Sequence, residues 1–176
     1  YDGFTGSPQQ AHVEIQNFES SLPVQGLAEI RLPSVDHLNL VQVTPASEMY
    51  VPALYAQNSQ DDYIHLPLVR SDWLLGLRAY HRMADQPQSG TIVGFVPSTG
   101  FEVHLPHLEN QAEAKVIYFD AQGQPSQTGV AGGGFIAFNV LEGSHTVLVI
   151  PNDASAAVSK VVPIDSGNLH ILKFDF

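Results

Sequence analysis

The sequence predicts a mainly β fold: two small β-sandwiches with one connecting α-helix. Three observations predict it. Residues 28–45, AEIRLPSVDHLNLVQVTP, read again at residues 134–151, GFIAFNVLEGSHTVLVIP, with an offset of 106 and no gap. Four of the 18 positions are identical, namely Ile30 with Ile136, Val41 with Val147, Val43 with Val149 and Pro45 with Pro151. Chance at ordinary composition gives roughly one. Both copies read strand, short acidic turn, strand, the mark of a duplicated β unit whose paired positions fill equivalent places in two cores. Second, short apolar runs with turn residues between them recur along the whole chain, as in sandwiches. Third, the period changes from two to 3.6 once, over Ser71 to Asp85.

The elements follow in order. Residues 1–10, YDGFTGSPQQ, carry Gly, Ser, Pro and Gln and predict a loosely held arm. His12 to Phe18 alternates Val13 and Ile15 with polar partners, a half-buried strand. Leu22 to Gln25 reads as a turn, then Glu29 to Leu32 and Leu38 to Val43 as strands. Tyr50 to Tyr55 and Tyr63 to Val69 close the first unit, the latter at an edge because Pro67 has no N–H to give a ladder. In the helix, Ser71 or Asp72 can cap the N-terminus. Trp73, Leu77, Tyr80 and Ala84 make one apolar stripe, and Arg78 and Arg82 suit the negative end of the dipole. Gln86 to Gly90 is a linker.

The second unit has strands at Thr91–Val96, Phe101–Leu105, Ala114–Asp120, the repeated block, Val158–Pro163 and Asn168–Phe176. Asp120 to Gly123 reads as a sharp turn. Gly132, Gly133 and Gly134 suggest backbone that only glycine allows, such as a bulge, rather than a flexible ligand loop. The division is thus residues 1–70, a β unit with an N-terminal arm; 71–89, the helix and linker; and 90–176, a β-sandwich.

Composition narrows the function. A net charge of −11 with seven Lys plus Arg repels nucleic acid and anionic lipid. Cysteine is absent, which excludes disulfides, a thiol nucleophile and a zinc–thiolate site. No apolar run approaches the roughly 18 residues needed to span a membrane. The chain opens on Tyr1 rather than Met, so it is expected to be an excerpt or processed form, with any signal peptide outside it.

The second unit resembles the carboxypeptidase regulatory-like, or transthyretin-like (prealbumin-like), domains. The residues that carry this are GTIVGFV (90–96), VIYFDAQGQP (116–125) and GGGFIAFNVLEGSHTVLVI (132–150), with Gly94, Asp120, Gly123, Phe135, Phe138, Leu141, Gly143, His145 and Thr146 at the family's places. The likeness covers about half the chain and reaches the first unit through the repeat, ending in MYVPALY (49–55). Two departures stand out: the long segment 101–114, and His37 where the second copy has Gly143. The resemblance implies a Greek-key (transthyretin-like or Ig-like) sandwich and a non-catalytic module of a periplasmic, secreted or cell-surface protein. Urate-product hydrolysis by transthyretin relatives is not implied, because the chain ends HILKFDF and has no Arg after Arg82.

Candidate chemistry is sparse. His104 and His107 fall on opposite faces of a strand, and Pro106 forbids a helix through them, so a shared metal with Glu102 or Glu109 is disfavoured. Asp61 and Asp62 lack calcium-loop spacing and read as a solvated turn. No serine lies in G-x-S-x-G. The expectation is therefore no enzyme, no metal and no cofactor. Its partner is a protein or cell-envelope component, and Trp73 and Tyr80 are the interface residues, with Trp73 packing the helix between the β units. The alternative, an accessory carbohydrate-binding module, needs exposed aromatics on a sheet face, for which Tyr50, Tyr55, Tyr63 and Phe101 are the candidates.

Overall fold

A computed structural model describes residues 1–15, 21–25, 39–57, 66–97, 99–106, 108, 114–153 and 155–174, with backbone alone at 21–25, 39 and 57. The alternation around Val13 and Ile15 forms β1 (Gln10–Ile15), followed by β2 (Ser21–Gln25), β3 (Asn39–Pro45) and β4 (Ala53–Gln57). The helix α1 (Ser71–Tyr80) comes next, then β5 (Ser89–Phe95), β6 (Phe101–His104), β7 (Lys115–Phe119), β8 (Pro125–Ser126), β9 (Gly134–Leu141), β10 (Gly143–Pro151), β11 (Val158–Ile164) and β12 (Leu169–Lys173). The fold is mainly β. Among the described residues the strands make a nine-stranded sheet, β2-β1-β3-β4-β12-β5-β9-β7-β8, and a three-stranded sheet, β11-β10-β6.

The large sheet crosses the sequence division without a break. The C-terminal strand β12 lies between β4 and β5, parallel to both. Leu169, His170, Ile171 and Leu172 are all buried, as a strand covered on both faces requires. Register then aligns Ile15, Val41, Tyr55, Ile171, Val93, Ile136 and Ile117 across the sheet. All are buried in one cluster beneath α1 and the arm. Each such side chain contributes about 1.5–3 kcal/mol by leaving water. The opposite face of β12, β5 and β9 gives Leu172, Ile92 and Phe135 to a second cluster, completed by Val147, Val149, Val162 and Ile164 of the small sheet. In the first half that opposite face is solvated at His12, Glu14 and Thr44.

His170 is a buried polar group in this seam, and its Nε2 accepts a hydrogen bond from the Asp165 N–H at 3.2 Å. Burial lowers its pKa below 6.5, partly opposed by the Asp165 charge. The unfolded chain therefore takes up the proton first as pH falls. This contribution to stability is complete above about pH 6.5 and is lost as pH drops through the folded pKa. The denaturant midpoint is expected to fall between pH 8 and pH 5.5, and less so in His170→Gln, which keeps an acceptor without the titration. Equal slopes for the two proteins would assign the effect elsewhere.

Several expectations are corrected. The arm is docked: Asp2 is buried and bridges Leu68, and its carboxylate accepts from the Phe4 and Thr5 N–H groups at 2.9 and 2.8 Å and from the Tyr50 hydroxyl at 3.0 Å. Leu22–Gln25 is strand rather than turn, and Pro23 is tolerated because β2 is an edge. The helix stops at Tyr80, not Asp85, since Arg82 takes φ 54° and the Met83 N–H bonds back to the Arg78 carbonyl, a left-handed stop. Residues 134–151 are not a hairpin: β9 and β10 lie in different sheets, turning apart at Gly143 (φ 132°). Val43 and Val149 are both buried, but in different clusters. Ile30, the strand Glu29 to Leu32 and residues 63–65 of the run Tyr63 to Val69 lie outside the described residues.

Candidate functional site

The face of the large sheet under α1 sets the candidate site. The buried stripe of α1 runs along Trp73, Leu74 and Leu77, with the Arg78 guanidinium 4.9 Å over the Phe138 ring. Arg78 also donates to Thr91 Oγ1 at 3.3 Å and pairs with Asp85. Tyr80 falls at the margin of this stripe and is 73% exposed. The sequence stripe placed it inside, but the helix ends there and Arg78 takes the cover over Phe138.

Trp73 is held on three sides. Its ring meets Phe4 at 4.8 Å and Phe119 at 5.1 Å, and its Nε1–H donates to the Gly123 carbonyl at 2.7 Å. It ties the arm to the second half and packs against the buried cluster under α1. Because it is half-buried, Trp73→Ala is expected to cost about 2–3 kcal/mol, below a fully buried Trp. Denaturant titration followed by circular dichroism checks this, and a change under about 0.5 kcal/mol would remove the structural role.

Beside Trp73, a cleft of about 380 Å³ is lined by Asp2, Phe4, Thr5, Arg70, Asp72, Trp73 and Gln122. Its rim is set by Arg70, whose Nε and Nη2 donate to the two oxygens of Asp72 at 3.0 and 2.6 Å. Asp72 Oδ1 also accepts the Trp73 N–H at 2.8 Å. The hydrogen bond from Arg70 holds the Asp72 pKa below its ordinary value. Burial pushes the Asp2 pKa up, but the bonds from Thr5, Phe4 and Tyr50 bring it below the ordinary value. Sequence reading missed Asp2, Phe4 and Arg70; Asp2 and Phe4 are signalled only by Asp-Gly-Phe-Thr at 2–5, an Asx-type turn, and Arg70 by nothing local. The cap expected at Ser71 or Asp72 is not made, and the N-cap residue is Arg70, whose side chain makes no capping bond.

The outward face of α1 carries Leu75, Gly76, Ala79 and Tyr80, all exposed. Met49, whose carbonyl accepts the Ser71 N–H at 2.8 Å, lies next to it and is 58% exposed.

The other candidates are dispersed. Tyr50, Tyr55 and Phe101 are buried, and the hydroxyls of Tyr50 and Tyr55 are bonded to Asp2 and to the Pro67 carbonyl, so they present no stacking face. Tyr63, Asp61, Asp62, His107 and Glu109 lie outside the described residues. His104 and Glu102 are exposed and 3.8 Å apart. Among the described residues no group of three His, Cys, Asp or Glu could hold a metal, and no helix is long and apolar enough to cross a membrane. Of the three glycines, only Gly132 has a positive φ; Gly133 and Gly134 are required by close approach to Phe119 and to the Gly94 carbonyl. No protein-family model matches the chain, and no curated protein or solved structure matches it either.

Proposed function

We propose that this chain is a non-catalytic interaction module of a periplasmic, secreted or cell-surface protein, and that it meets a protein or another cell-envelope component through the outer face of α1. The observation that carries the reading is the exposure of Leu75 (65%) and Tyr80 (73%) on a helix whose Trp73, Leu74 and Leu77 pack onto the sheet. With Met49 beside the helix (58%), these are large apolar side chains left in water around α1, the kind of surface that contacts a partner. Tyr is also among the residues that anchor interfaces. The likeness of residues 90–176 to carboxypeptidase regulatory-like domains, with a Greek-key sandwich and no reaction of their own, supports the same reading.

Photo-crosslinking tests it in the organism that makes the protein. A benzoylphenylalanine at position 75 or 80 is expected to give a discrete adduct, while the same group at Thr44, on the solvated sheet face, gives none. Equal yields at all three positions, or none at 75 and 80, would remove the reading.

A further inference from the structure

We infer that the cleft between the N-terminal arm and the start of α1 binds a neutral sugar, with the Trp73 indole against its C–H face and Arg70, Asp72 and Gln122 at its hydroxyls. The site is distinct from the outer face of α1 and stands without it. Its volume of about 380 Å³ lies in the lower part of the range for small-molecule sites, about 300–1,000 Å³.

A pyranose offers an apolar face of C–H groups and an equator of hydroxyls that both donate and accept. It is matched by an aromatic surface beside planar side chains that bond two atoms at once. In the cleft the aromatic side of that combination is fixed, and the polar side chains lie at its rim. Trp73 cannot rotate without losing its bond to the Gly123 carbonyl and its contacts with Phe4 and Phe119. Arg70 is oriented by its two bonds to Asp72, though both side chains are exposed, 46% and 67%. A guanidinium has five N–H donors, so the pair with Asp72 leaves others for a ligand. A fixed aromatic platform avoids the entropy of ordering that side chain on binding.

Charge selects among ligands. Asp2, Arg70 and Asp72 leave the cleft weakly anionic, and the whole chain carries −11, which disfavours phosphates and carboxylates. Asp2 is already committed to three hydrogen bonds, so it serves as wall rather than as a counter-ion for an ammonium group.

Trp73 is the only tryptophan, so intrinsic fluorescence reports on this cleft. Titration of the full chain with cellobiose, maltose, chitobiose and mannobiose is expected to give a saturable change with at least one of them, with Kd on the order of 1 mM for so small and open a site. Gln122→Leu, at an exposed turn position, should leave the melting temperature unchanged and weaken that sugar by about tenfold. The inference is overturned if none of the four sugars gives a saturable change, if Gln122→Leu binds equally well, or if choline binds where the sugars do not.

Discussion

Ile171→Ala is expected to cost about 3–4 kcal/mol and to do so in both halves of the protein at once. Ile171 is buried at the centre of the in-register row, with Tyr55 of β4 on one side and Val93 of β5 on the other. Removing its side chain opens a cavity between strands from residues 1–70 and strands from residues 90–176. Total stabilities of single domains are about 5–15 kcal/mol, so the loss is a large fraction of the whole. Equilibrium unfolding followed by circular dichroism and by Trp73 fluorescence should give coincident transitions shifted together. If the fluorescence transition of the variant stays at the wild-type midpoint, β12 does not couple the halves.

Gly134→Ala is expected to cost about 3 kcal/mol or more, at the upper end of overpacking penalties. A Cβ at Gly134 would stand 2.1 Å from the Gly94 carbonyl oxygen and 2.4 Å from the tip of the Phe119 ring. The carbonyl belongs to a paired strand and cannot yield without breaking the ladder between β5 and β9. Phe119 is wholly buried and locked against Phe4, Phe95 and Trp73. Gly76 offers the contrast, because a Cβ there meets nothing within 4 Å and the residue sits inside α1. Gly76→Ala should stabilise by about 0.5–1 kcal/mol. The two substitutions, compared in one denaturant series, separate close approach from backbone freedom. A neutral Gly134→Ala would contradict the packing described.

The sequence pattern located strands well where one face is solvated or where the run is bounded by glycine or proline. The two-residue alternation of Val13 and Ile15 and the run Val158 to Pro163 both lie on strands. It could not reveal which strand pairs with which. Nothing local in LHILK says that it joins β4 to β5, because parallel pairing between strands distant in sequence leaves no turn signature. The repeat misled on pairing for the same reason: strand, turn, strand reads alike whether the chain folds back as a hairpin or, as at Gly143, passes to the other sheet. The helix was legible from its period, but its end depended on Arg82 adopting a left-handed conformation that glycine usually supplies. The helical period placed Trp73 on the packed stripe, where its ring meets Phe4 and Phe119, whereas Asp2 and Phe4 were hidden in a segment whose composition reads as loose. Their place depends on hydrogen bonds with Tyr50 and on aromatic neighbours far along the chain.

The continuous sheet is the central claim, and native-state hydrogen exchange tests it most directly. The amides of Val41 in β3 and Ile136 in β9 sit on opposite sides of β12 in that sheet. If β12 unites the halves, both amides exchange only through global unfolding, with equal opening free energies and equal dependence on denaturant. If Val41 opens at a lower free energy while Ile136 stays protected, the two halves are separate cooperative units and the account is wrong.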